Sequence, residues 1–215
     1  MQIRELSVPG AFTMTPKILG DSRGAFLEWF RADRFSEVTG HPFTIAQANC
    51  SVSAAGTVRG VHFAEVPPSQ AKYVTCPSGA LLDVVVDVRC GSPTFGQWEA
   101  VRLDDENRAA VYVPEGVGHA FMALEDRTVI QYLCSAPYAP GREHGVNPLD
   151  PALGIDWPTT GRDGKPLEKL LSDKDAARPR PGSARRRPCR RAASPAACLR
   201  DRWWASRCRV LCRAG

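Results

Sequence analysis

Four histidines are spread along the 215 residues, and two of them stand in matching surroundings. His62 lies in "RGVHF" (59–63) and His119 in "PEGVGHAF" (114–121), and each follows a glycine-containing bend at the start of a strand-like run. A free imidazole titrates near ~6.5, so it can take or give a proton around neutral pH. A histidine wedged between Val61 and Phe63 has two readings: a core side chain with a satisfied hydrogen bond, or a base held in a dry pocket. His41 sits at a helix end and reads as surface, and His144 in "REHG" lies on a long loop. Metal binding needs clustered ligands. The chain has no CxxC, "RGVHF" offers no second His two residues away, and Cys208 and Cys212 have no nearby His, so no metal site is expected.

The elements that must hold these histidines are short and β-rich. "YVTC" (73–76), "LLDVVVDV" (81–88), "WEAVRL" (98–103), "AAVYVP" (109–114), "HAFMAL" (119–124) and "TVIQYLC" (128–134) are dense in Val, Ile and aromatics. Turn formers separate them, at about one strand every ~10 residues, which predicts an all-β barrel or sandwich. Two histidines at strand starts would then point into the barrel mouth. Asp83 and Asp87 share one strand face, read as solvated or hydrogen-bonded. One helix is expected over 31–40, capped by Asp33 and stopped by Gly40. The Pro- and Gly-rich stretch 135–170 reads as a long ordered loop with one short helical turn, of the kind that covers sites.

The formal charge of +5 conceals a division. Residues 176–215 hold 12 Arg, no Lys and one acid, a net of +11, and residues 1–175 hold 16 Lys plus Arg against 22 Asp plus Glu, a net of −6. The body is acidic and the tail strongly basic, so a nucleic-acid role would rest on the tail alone. That tail, almost wholly Arg, Ala, Pro, Cys, Ser and Trp, has the composition of a GC-rich coding sequence read out of frame, or else of a basic arm; disorder is expected in it. No run of eighteen apolar residues and no secretory leader is visible, which leads to an expectation of a cytoplasmic protein. Cys50, Cys76, Cys90 and Cys134, scattered through the body, are expected to be buried free thiols.

The motifs "GDSRGAFLEWF", "RGVHF", "QAKYV", "DVVVDVRCGSPTFGQW", "VPEGVGHAF", "YAPGREHGVNPLDPALGIDWP" and "LSDKD" follow one another at spacings that resemble the dTDP-4-dehydro-6-deoxyglucose (dTDP-4-dehydrorhamnose) 3,5-epimerase family over residues 1–175. "VPPSQAKYV" and "VNPLDPALGIDWP" resemble the antibiotic deoxysugar epimerases more than the cell-wall rhamnose enzyme. The resemblance implies a cupin-type jelly-roll barrel with a few short helices, in agreement with the strand count. It implies a homodimer whose exchanged N-terminal strands help build the neighbour's site. It also implies a dTDP-4-keto-6-deoxyhexose substrate epimerised at C3, C5 or both, with no cofactor and no membrane or nucleic-acid partner.

Residue by residue, the resemblance makes His62 the base, Asp175 its orienter, Tyr132 the acid on the opposite face and Lys72 the cation near the C4 oxygen. Arg23 and Arg59 match diphosphate positions. Glu28, Gln47 and Asn49 match polar positions around the nucleotide, Phe26 and Tyr138 pack near the thymine, Glu143 lies near nucleotide or sugar, and His119 lies near sugar or diphosphate. The competing reading is a non-catalytic sugar-nucleotide-binding cupin, or a protein carried to nucleic acid by its tail. The joint presence of His62, Lys72 and Tyr132 favours catalysis.

Overall fold

The computed structural model describes residues 1–67 and 69–179; the readings of the tail beyond Pro179 lie outside them. In chain order the elements are β1 (Gln2–Glu5), β2 (Phe12–Thr15), β3 (Ile18–Asp21), β4 (Gly24–Leu27), α1 (Ala32–Thr39), β5 (Gln47–Ser53), β6 (Val58–Ala64), β7 (Lys72–Ser78), β8 (Ala80–Val86), β9 (Trp98–Asp104), β10 (Ala110–Val113), β11 (Gly118–Ala123), β12 (Thr128–Cys134), β13 (Glu143–Gly145) and α2 (Asp173–Ala176). Two antiparallel sheets face each other, ordered β1-β2-β10-β7-β12-β5 and β13-β6-β11-β8-β9, while β3 and β4 form a separate hairpin. This is the expected all-β jelly roll. No helix among the described residues is long and apolar enough to cross a membrane.

Side chains alternate across a strand, so each sheet has an inner and an outer face. Between the sheets, Leu81, Val85 and Phe121 of one meet Val74, Cys76, Val111 and Ile130 of the other. The outer face of the β6–β11–β8 sheet carries Val58, Val61, Val84, Val86 and Met122, covered by Leu149, Leu153, Ile155, Trp157, Leu167 and Leu171. The outer face of the larger sheet carries Tyr73, Ala110, Tyr112 and Leu133, covered by Phe35 of α1 with Phe43, Trp29 and Phe30. Double coverage explains why "LLDVVVDV" lacks apolar–polar alternation: both faces of β8 are dry. The long loop therefore serves mostly as an outer wall of the barrel. Its first residues alone reach the cavity described below, which corrects the expectation of a site cover. Its single 3₁₀ turn, Pro140–Arg142, matches the short turn expected.

Other expectations are revised. Arg31, not Asp33, is the N-cap of α1 and supplies no side-chain cap; Asp33 sits in the first turn and is gripped by Arg31. Gly40 ends the helix in the left-handed conformation, with φ of 78°. Asp83 and Asp87 are both buried, so the solvated reading fails and the hydrogen-bonded one holds. Burial alone would raise the Asp87 carboxyl, but Arg89, Ser92 and Thr94 outweigh it and hold it at about 2. Cys76 and Cys134 are buried free thiols, whereas Cys50 is free but exposed. Cys90 is exposed and disulfide-bonded rather than free.

Gly60 is where β6 crosses closest to β11. With φ of 109°, a Cβ there would collide with the His119 carbonyl oxygen and sit 2.7 Å from Ala120 Cα. Only glycine fits, and the register between the two strands shifts at the same place, between His119 and Phe121.

Candidate active site

Parity decides which side chains face inward. Val74 and Cys76 of β7 belong to the inter-sheet core, so Lys72, in step with them, also faces in. On β12, Ile130 is in that core and Tyr132 packs against it. Val117, just before β11, and Phe121 on it bracket His119 in the same phase. His119 and His62 are direct cross-strand partners. His62 lies near the end of β6 rather than at a strand start; because the strands are antiparallel, that end meets the beginning of β11. Both histidines thus come from the smaller sheet, and Lys72 and Tyr132 from the larger one.

His62 Nε2 lies 2.7 Å from Asp175 Oδ1. Burial, the largest single influence, pushes the Asp175 carboxyl up. The hydrogen bond and charge of His62, with the Ser172 hydroxyl and the Gly60 N–H, outweigh it and hold the carboxyl below its ordinary value of 3.8. An ionised carboxylate only accepts, so Nε2–H is the donor and Nδ1 keeps its lone pair. Asp175 is 113 residues away from His62 in sequence. Backbone bonds from Val58 N to Leu170 O (2.8 Å) and from Leu170 N to Gly56 O (2.9 Å) lay the segment alongside β6. Ser172 then caps α2, its Oγ accepting from Asp175 N at 3.1 Å. From the far side, Asn147 Nδ2 donates to Ala176 O at 3.0 Å, so residues after Asp175 are also fastened to the body.

An open cavity of about 400 Å³ is lined by Gln47, Asn49, Cys50, His62, Gln70, Lys72, Tyr132, Tyr138 and Glu143. The register places Asn49 opposite Tyr132, and Gln47 and Lys72 opposite Cys134 on either side, so one sheet face carries Gln47, Asn49, Tyr132 and Lys72. Gln47 Nε2 donates to Asn49 Oδ1 at 2.8 Å, and Gln47 Oε1 accepts from Tyr138 N at 2.9 Å. Neither the Lys72 ammonium nor the Glu143 carboxylate has a salt-bridge partner among the described residues. Burial raises the Tyr132 phenol above its ordinary value of 10.0, so it remains a proton donor throughout the neutral range. The cavity therefore offers a carboxylate-held imidazole on one wall, a protonated phenol on the other, and an unneutralised cation beside the phenol. A small molecule between the walls could lose a proton to one side and gain one from the other.

His119 lies beside His62 across the strand pair, its Nε2 donating to Asp83 Oδ1 at 2.7 Å; Asp83 Oδ2 has no partner among the described residues. Arg59 is exposed at the rim with no ion pair among the described residues, its Nε donating to Ser53 Oγ at 3.3 Å, and its charge is felt at Tyr132. Arg23, Phe26 and Glu28 are not brought to this cavity within the chain. They lie on and beside the β3–β4 hairpin, where Arg23 is 88% exposed and paired with Asp21, and Phe26 is 65% exposed. Phe26 and Glu28 line a separate cleft with Lys17, Arg31 and Arg34. Gln70 and Cys50 were not anticipated from the sequence. Gln70 had a readable signal, since it is two residues from Lys72 and so in phase with it; Cys50 had none.

A jelly-roll barrel whose two sheets present acid–base groups to a common cavity is the frame of an isomerase of the cupin type. Residues 5–181 match the family described as dTDP-4-dehydrorhamnose 3,5-epimerase. A dTDP-4-dehydrorhamnose 3,5-epimerase of Mycolicibacterium smegmatis is 59% identical over 179 residues, 83% of this chain and 85% of that protein. The solved 4-keto-6-deoxy sugar epimerase from the novobiocin gene cluster of Streptomyces spheroides superposes with a TM-score of 0.78 at 53% identity, covering 83% of this chain and 86% of its own. A 3'-monoepimerase of Streptomyces bikiniensis, solved with dTDP-quinovose, gives 0.76 at 53% identity over 81% and 85%. The chain belongs to the dTDP-4-dehydrorhamnose 3,5-epimerase family and is an epimerase of dTDP-linked deoxysugars, with relatives that include antibiotic-pathway enzymes.

Proposed function

We propose that the protein epimerises a dTDP-4-keto-6-deoxyhexose through an enolate, with His62 as base and Tyr132 as acid. C3 and C5 both adjoin the C4 carbonyl, so their protons are acidic. His62 Nδ1 takes the proton, the C–H electrons form the C=C bond of the enolate, and the C4 oxygen becomes negative. The imidazolium is stabilised by Asp175, and the C4 oxyanion by the Lys72 ammonium, which has no ion-pair partner among the described residues. Tyr132 delivers its O–H proton to the same carbon from the other side, inverting it. The resulting phenolate and imidazolium then recover by proton exchange with solvent. The observation that carries this reading is that His62 and Tyr132 belong to different sheets and line one cavity, so a ring bound between them would meet the base on one face and the acid on the other.

The test is incubation with dTDP-4-keto-6-deoxyglucose in deuterated water, followed by location of deuterium at C3 and C5. Incorporation at one or both carbons is expected, and its absence from all 4-keto substrates tried would sink the reading. Tyr132→Phe is expected to keep proton exchange at the retained face while inversion falls by about 10²-fold or more. Loss of exchange and inversion to the same extent would place Tyr132 outside the acid role.

The working unit in this reading is a homodimer acting in the cytoplasm. Among the described residues the β3–β4 hairpin pairs only with itself, and it exposes Ile18, Leu19 and Phe26. A lone hairpin is marginal in water. Among the described residues the outer edge of β5, beside the cavity, is unpaired, and Ile45 just before the strand and Val52 on it are exposed. Laying the hairpin of one chain on the β5 edge of another covers both and carries Arg23, Phe26 and Glu28 to the partner's cavity. Sedimentation equilibrium should give twice the chain mass; a monomer active at the same specific rate would refute the arrangement.

A further inference from the structure

Gln70 is a wall of the cavity for which the proton-transfer scheme has no use. It lies just before β7, in phase with Lys72 and Val74, so its side chain is on the inner side, whereas Ala71 and Tyr73 pack in the outer cluster. The backbone here is fastened on both sides: Ala71 N donates to Ser135 Oγ at 2.8 Å, and Ser135 N to Ala71 O at 3.0 Å. The side chain is fastened as well. Nε2 donates to the Ala136 carbonyl at 2.7 Å, and only the nitrogen end of an amide can do this. The amide orientation is thereby set, and Oε1 accepts no hydrogen bond among the described residues. It is not a buried orphan either, so it remains open to a ligand.

An oriented, uncharged acceptor selects for a donor. The C4 carbonyl of the substrate and its enolate oxygen are acceptors and are served by Lys72. The ring offers two hydroxyls, at C2 and C3. Inversion at C3 swings its hydroxyl from one face to the other, whereas the C2 hydroxyl keeps its configuration from substrate to product. A rigidly held acceptor suits the group that does not move. We propose that Gln70 is a specificity-determining residue whose Oε1 accepts the C2 hydroxyl of the sugar, so that the cavity distinguishes 2-hydroxy from 2-deoxy sugar nucleotides. This rests on the sugar occupying the cavity as in the proposed function, though not on the proton-transfer chemistry itself.

The test therefore uses binding. The full chain, with Gln70 intact or as Gln70→Met, is titrated by calorimetry with dTDP-6-deoxyglucose, which has no C4 carbonyl to enolise, and with its 2-deoxy counterpart. The intact protein is expected to prefer the 2-hydroxy ligand by roughly three- to tenfold, and Gln70→Met to bind both equally with the 2-deoxy affinity unchanged. The unchanged 2-deoxy affinity serves as the check that the variant is folded. No preference in the intact protein, a preference kept in Gln70→Met, or an equal weakening of both ligands would each overturn the assignment. A protein that shows the preference but fails to exchange deuterium would refute the catalytic scheme and leave this assignment standing.

Discussion

His62→Ala is expected to abolish deuterium wash-in at both C3 and C5 and to lower kcat by about 10³-fold, while binding of dTDP stays close to that of the parent protein and thermal stability falls, because the buried Asp175 carboxylate loses its partner. The magnitude follows from removing a positioned general base. The fold itself is retained because of where the ring sits: its side chain is 36% exposed and faces the cavity, while the neighbours Val61 and Phe63 supply the apolar packing of that strand. The backbone pairs of residue 62 with His119 and Gly145 survive the substitution. Stopped exchange with intact nucleotide binding separates loss of the base from loss of the fold. A variant that still exchanged protons at the parental rate would assign the base to another group, with His119 the next to examine.

Asp175→Asn should cost roughly 10²- to 10⁴-fold in kcat with little change in KM. An amide can donate to the imidazole as well as accept from it, so it no longer enforces the Nε2–H tautomer and no longer stabilises the imidazolium. The same substitution has a signature in stability. The folded-state carboxyl of Asp175 lies below its ordinary value of 3.8, the opposing push of burial being outweighed by His62, Ser172 and the Gly60 N–H. A depressed carboxyl stabilises the native state above its unfolded value, and that stabilisation disappears as pH falls through the folded value. The stability advantage of the parent over Asp175→Asn should hold at neutral pH and shrink in the acid window below the ordinary carboxylate range, as read by thermal unfolding at stepped pH. A difference independent of pH would mean that the carboxylate charge is not what the site uses.

Much of the frame was legible because strands announce themselves locally. "TVIQYLC" coincides with β12, and the other β-rich runs fall within a residue or two of β7 to β11. The strands that were missed, β1 to β5 and β13, are short or polar on one side. "QANCSVS" has too few branched residues to stand out, and its place is set by pairing with β12 along its whole length. The helix cap was misplaced because Asp33, a good capping type, is taken by Arg31 in the first turn. Cys50 was misjudged because a lone cysteine carries no sign of whether its strand lies at an edge.

For the site, residue chemistry and setting singled out His62 and His119 as candidates, the resemblance of the motifs added Lys72, Tyr132 and Asp175, and parity along each strand was enough to say which neighbours share a face with them. Residue order could not say that β6 and β12 belong to opposite sheets, since that depends on which strands pair across tens of residues. Nor could it place Asp175 at 2.7 Å from His62, a contact made only because Leu170 docks on Gly56 and Val58 and Ser172 caps the turn that follows. Gly60 shows both sides of the division: the sequence alone marks a bend there, and the tertiary structure supplies the reason for glycine, a His119 carbonyl where any side chain would have to go. Local propensity and two-residue periodicity are properties of the chain itself. The facing of base and acid across a cavity is a property of long-range strand pairing and of what packs on the outer faces, and only the folded barrel determines it.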